Sequence, residues 1–83
     1  MRALFKSSSP NRLYNHLLEH FGLSSDASLA ERIQLDRFSI LKARQGRISV
    51  SPFAIMSIHL SSGISVEKIM ELGGITRDED YLK

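Results

Sequence analysis

The sequence predicts an all-α domain, a compact bundle of five short helices. Three observations carry that expectation. Apolar residues recur at helical spacing in successive segments, Ser-Pro opens two of those segments and glycine closes them, and no stretch sustains the period-two alternation of a strand. The links between segments are short, so neighbouring helices must pack on one another.

The first helix opens at "SPNRLYNHLLEHFG". Ser9 stands at the N-cap and Pro10 at the first helical position, where its missing N–H costs nothing. Leu13, Leu17, Leu18 and Phe21 follow at helical spacing, and Gly22 ends the run. "SSDASLAERI" starts the second helix, with Ser25 as cap and Asp26 in the first turn, where a carboxylate suits the positive end of the helix dipole. Asp36 is the expected cap of a third helix that runs to about Gln45 and stops at Gly46. "SPFAIMSIHLSSG" repeats the Ser-Pro start at Ser51-Pro52 and the glycine stop at Gly63, and "SVEKIMELGG" gives a fifth helix from Val66 to about Leu72. The expected organisation is an arm over residues 1–8, a helical domain over 9–73 and a tail over 74–83. The arm's Arg2 and Lys6 are placed to reach a phosphate or a minor groove, with a plain floppy terminus as the alternative.

Composition narrows the class. A chain of 83 residues holds one domain, and the absence of cysteine removes both a disulfide framework and a thiolate metal site. No apolar run approaches the roughly 18 to 20 residues that span a bilayer, and "MRALFKSSS" lacks a signal peptide's apolar core. A cytoplasmic protein without a membrane partner is expected. The net charge of +2 is small, but its distribution is uneven. Arg32, Arg37, Lys42, Arg44 and Arg47 crowd the middle against Glu31 and Asp36, while "RDED" makes the tail acidic. Such asymmetry favours a polyanion at one face, or else marks an ordinary solvated helix surface.

The middle segment, "LAERIQLDRFSILKARQGR", reads as two helices joined by a tight turn. Leu29, Ala30, Ile33, Leu35, Ile40 and Ala43 point inward, and the small Ala30 sits where two helices would cross closely. At 3.6 residues per turn, Phe38, Leu41, Lys42 and Gln45 fall away from the Ile40–Ala43 face, with Arg37 exposed at the helix start. Spacing alone also fits an ordinary helical hairpin.

Taken in order, "SLAERIQLDRFSILKARQGR" and "SPFAIMSIHLSSGISVEKIMEL" resemble the lambda repressor and Cro type of helix-turn-helix domain, from about Ser9 to Leu72. The resemblance rests on Leu29-Ala30, the apolar pair around the turn, Ile40, Gly46 followed by a basic residue, the Ser-Pro start and "GISVEKIMEL". It implies a transcriptional regulator, commonly a dimer on two-fold double-stranded DNA, with the third helix in the major groove. By position, Arg37 and Phe38 match the family's base-facing residues at the start of that helix, and Lys42 and Gln45 match those further along. Arg47, Ser49 and Ser51 match the loop and helix start that meet the sugar-phosphate backbone, and Ser25 lies where the second helix approaches a phosphate. Asp26 stands where the family often has glutamine; its carboxylate would repel phosphate and it is excluded from the contacts. The segment "IMELGGI" is the expected dimer contact, or else completes the monomer core.

The chemistry agrees with these positions. Arginine pairs with guanine O6 and N7, glutamine with adenine N6 and N7, and Lys42 has reach for guanine or phosphate. Arg44 and Arg47 flank the reading face and are backbone candidates. Two departures from the family pattern matter. Gln34 stands where glycine is usual, and a left-handed backbone there costs on the order of 1–2 kcal/mol. Phe38 and Leu41 put apolar side chains on the reading face, either to pack on thymine methyl groups or to grip a protein partner. The first option makes a repressor-like DNA reader, the second a protein-interaction module on the same scaffold.

Other signals lead nowhere. "HLLEH", His16 to His20, has the spacing of a zinc-protease motif but no third ligand follows, and His59 is expected to be packed or hydrogen-bonded. There is no nucleophile elbow, phosphate-cradling loop or convergent carboxylate pair. The chain is therefore expected to be no enzyme and to need no metal, cofactor or small-molecule substrate.

Overall fold

The chain runs β1 (Phe5–Ser7), α1 (Pro10–Phe21), α2 (Asp26–Ile33), α3 (Arg37–Arg44), α4 (Pro52–Ser62), α5 (Val66–Gly73) and β2 (Ile75–Arg77) in the computed structural model, which describes residues 5–77. Five helices form a compact, mostly helical domain, in the order and close to the bounds the sequence predicts. Leu13 and Leu17 of α1, Leu29 and Ile33 of α2, Ile40 of α3, Ile58 of α4 and Ile69 of α5 are all fully buried and share one core. Among the described residues, no helix is long and apolar enough to cross a membrane.

Caps explain the helix starts unevenly. The side chains of Ser25, Ser51 and Ser65 accept from the backbone N–H of Ser28, Ala54 and Lys68 at 3.1–3.2 Å, which satisfies donors that a helix start leaves free. Ser9 and Asp36 hold the expected cap positions, but their side chains make no cap bond. The N–H of Ser9 instead donates to the Gly73 carbonyl at 2.9 Å, because the chain enters α1 alongside the end of α5.

That contact begins the main departure from an all-helical reading. β1 and β2 pair antiparallel, with Phe5 opposite Arg77, Lys6 opposite Thr76 and Ser7 opposite Ile75. The arm and tail, expected to lie outside the bundle, are thus joined to it along residues 5–8 and 74–77. Ile75 is buried in the core, and the Ser7 hydroxyl accepts from the Val50 N–H at 2.9 Å. Arg2 and the acidic residues 78–80 lie outside the described residues, as does the side chain of Lys6.

The segment "IMELGGI" belongs to the monomer. Ile69, Leu72, Gly73 and Ile75 are buried within the single chain, so the expectation of a dimer contact there gives way to core packing.

Candidate nucleic-acid interface

α2 and α3 are joined by a turn of three residues, Gln34 to Asp36. Gln34 takes the left-handed conformation, φ 59° and ψ 42°, and its N–H donates to the Ala30 carbonyl. The Leu35 N–H also reaches the Ala30 carbonyl, at 2.9 Å. Half-buried Leu35 packs against the core beside buried Ile33 and holds the strained residue in place. The turn therefore has the geometry expected of a glycine, built with glutamine.

α3 buries Ile40 and Ala43 against the bundle and turns the opposite sector outward. Arg37, Phe38, Leu41, Lys42 and Gln45 are all exposed on that sector, Phe38 by 55% and Leu41 by 46%. The Arg37 guanidinium lies 5.3 Å from the centre of the Phe38 ring, a cation–π contact that orients both side chains. With Leu41, Asp26 and Ala27 they line an open groove of about 320 Å³ between the start of α2 and α3. Arg37, Lys42 and Arg47 form no ion pair among the described residues.

The flanking candidates divide. Ser25 is exposed at the α2 start, its hydroxyl oxygen occupied by the cap bond. Arg47 is exposed just after Gly46, where its N–H donates to the Lys42 carbonyl at 2.9 Å and closes α3. Ser49 is half-buried in the link to α4, and Ser51 is exposed at the cap of that helix. Ser49 and Ser51 line a second depression, of about 240 Å³, with Gln34, Ser39 and Phe53.

Arg44 does not join them. Its Nε and Nη2 donate to the two Asp26 carboxylate oxygens at 2.7 and 2.9 Å, and its Nη1 donates to Asn11 and Asn15 at 2.8 and 3.0 Å. The guanidinium lies 5.7 Å from the Tyr14 ring centre, with 17% of the side chain exposed. Its expected role as a phosphate contact is corrected: the donors are spent in a network that ties α3 to α1 and α2. The missed signal was rotational, since Arg44 falls next to the buried stripe of α3 and not within its outward sector. The same pairing accounts for Asp26, whose carboxylate is neutralised by a fork-to-fork bond.

Burial pushes the Tyr14 hydroxyl up from 10.0 to about 12, with Arg44 opposing the shift and Asp26 reinforcing it. Away from this region, His59 Nδ1 is 2.6 Å from the Ile64 carbonyl, so it is hydrogen-bonded as expected. His20 Nε2 lies 3.2 Å from the Ser62 carbonyl, linking α1 to the end of α4. Comparison of the chain with protein-family models, curated proteins and solved structures finds no match.

Proposed function

We propose that the protein is a sequence-specific double-stranded DNA-binding regulator, a repressor, whose α2–turn–α3 unit works as a helix-turn-helix with α3 in the major groove. One observation carries the reading: α3 presents Arg37, Lys42 and Gln45 outward together around Phe38 and Leu41, with neither cation in an ion pair among the described residues. Arg37 and Gln45 have the donor patterns that suit guanine and adenine edges, and Phe38 is an apolar surface for a thymine methyl group. Arg47, Ser25, Ser49 and Ser51 are the backbone contacts, which set register and carry no sequence information.

The second reading, a protein-interaction module gripping a partner through Phe38 and Leu41, draws on the exposure of those two side chains. Titration with random-sequence duplexes across a salt series separates the two. Duplex binding that falls steeply with salt is expected, because neutralised phosphates release counterions. Absence of binding at low salt sinks the DNA reading.

The residue assignment has its own test, binding of Arg37→Ala and Arg47→Ala on selected, singly substituted and random duplexes. Loss of Arg37 should cost about 1–3 kcal/mol on the best site and relax selection at one base pair. Loss of Arg47 should weaken all sequences alike and reduce the salt slope by about one. If both mutants shift every sequence equally, Arg37 is a backbone contact.

A further inference from the structure

α4 has two faces of nearly equal oiliness and buries only one. Ala54, Ile55 and Ile58 enter the core, while Phe53, Met56 and Leu60 stand out at 71, 48 and 76% exposure. Spacings of three and four residues put these three on a single stripe, with half-buried Ser57 beside Met56. Ile48 lines the same depression as Phe53 and extends the patch. Surface helices ordinarily carry charge on such a face, yet residues 48–66 include no Asp, Glu, Lys or Arg. The exposed area is roughly 400 Å², the size at which a patch on a monomer is commonly functional.

We infer that this stripe is a self-association surface, on which a second copy of the chain packs its α4 antiparallel about a two-fold axis between Met56 and Ser57. The spacing favours a copy of the same chain. Phe53 precedes Met56 by three residues and Leu60 follows Ser57 by three, so the stripe reads alike from either end. An antiparallel pair sets Phe53 against Leu60 of the partner subunit, and Met56 against Ser57 of the partner subunit. Bulk meets bulk at the ends and a flexible thioether meets a small residue at the axis, in the reciprocal pattern a two-fold contact requires. Charge favours it too. Each copy is net positive, and an uncharged face is where two such copies meet without repulsion. A nucleic acid or a strongly charged protein finds nothing there to pair with.

Two patches of this size bury well under the roughly 1,600 Å² of a standard interface. The dimer is therefore weak, with dissociation in the micromolar range or above, and depends on concentration. It stands independently of what α3 binds.

Sedimentation equilibrium of the full chain without DNA, from micromolar to millimolar concentration, should show monomer passing to dimer. Leu60→Glu and Met56→Glu, at exposed positions, should keep the parent's thermal unfolding while weakening association at least tenfold. Phe38→Glu, on the other exposed apolar face, should associate like the parent. Because the chain has no cysteine, Ser57→Cys offers a second readout: mild oxidation should link it into dimers near the axis, and Ser28→Cys on α2 should link poorly. A monomer at every concentration overturns the inference. So does association that survives Leu60→Glu or is lost in Phe38→Glu, and so does equal cross-linking of the two cysteine variants.

Discussion

Gln34 is the only described residue other than glycine with a positive φ. An L side chain in that region is strained by on the order of 1–2 kcal/mol, and glycine would relieve it while adding freedom to the unfolded chain. Gln34→Gly is therefore expected to gain up to about 1 kcal/mol in stability, read from denaturant midpoints, and to leave duplex binding unchanged. A large loss would mean that the side chain makes a contact its exposure does not suggest. The turn was legible because inward-pointing Ile33 and Leu35 bracket one residue that must reverse the chain. Tyr14 was not, since it lies beside Leu13 and Leu17 on α1 and its aromatic ring serves equally well at a wet surface. Its hydroxyl, pushed up by burial from 10.0 to about 12, has a sign that can be worked out. Between those values the unfolded chain has lost the proton that the folded chain keeps. This contribution is thus full below pH 10 and is lost as pH rises to about 12, on the order of 2–3 kcal/mol. Urea midpoints across that range should fall more steeply for the parent than for Tyr14→Phe; parallel curves would show that Tyr14 titrates as a free tyrosine does.

Helices are legible almost to the residue because their punctuation is local: Ser-Pro at two starts, glycine at the stops, and a serine whose hydroxyl caps the next turn. Their mutual fixing is not local. Arg44 of α3 reaches Asp26 of α2 and Asn11 and Asn15 of α1, contacts that no spacing within one helix reports. α4 poses the opposite difficulty, for it is apolar nearly all round and periodicity alone cannot say which side is buried. The Arg44 network also sets the angle at which α3 stands. Arg44→Ala should cost about 2 kcal/mol, a value reduced from that of a buried pair because both side chains are partly exposed. Arg44→Lys should recover little of it, since an ammonium cannot make the paired fork. A double-mutant cycle with Asp26→Asn should give a coupling of about 1 kcal/mol, and the salt slope of duplex binding by Arg44→Lys should match the parent's. A slope lower by about one would return Arg44 to the phosphate contacts.

At the scale of the whole molecule, the two ends of the described chain close on each other. Strands of three residues are too short for alternation to register, and their partners are far apart in sequence, so nothing local announces the ribbon. Gly74 is where that closure is tightest. It holds φ +58° after α5, and a Cβ placed there would overlap the Ser8 hydroxyl and lie 3.2 Å from the Ser9 N–H nitrogen. The Ser8 N–H and hydroxyl both donate to the Gly74 carbonyl, at 3.1 and 3.2 Å, so the backbone has little room to retreat. Gly63 provides the control, with φ +77° and no other atom within 4 Å of where a Cβ would stand. Both alanine substitutions meet left-handed strain, but only Gly74→Ala must also push β1 away from β2. Gly63→Ala should cost about 1 kcal/mol, and Gly74→Ala about 2–3 kcal/mol. Amide hydrogen exchange should separate them further. Protection of the Ser8 and Ser9 N–H groups should fall in Gly74→Ala and persist in Gly63→Ala, whereas equal losses of stability and protection would show that the ribbon contributes nothing to holding the bundle closed.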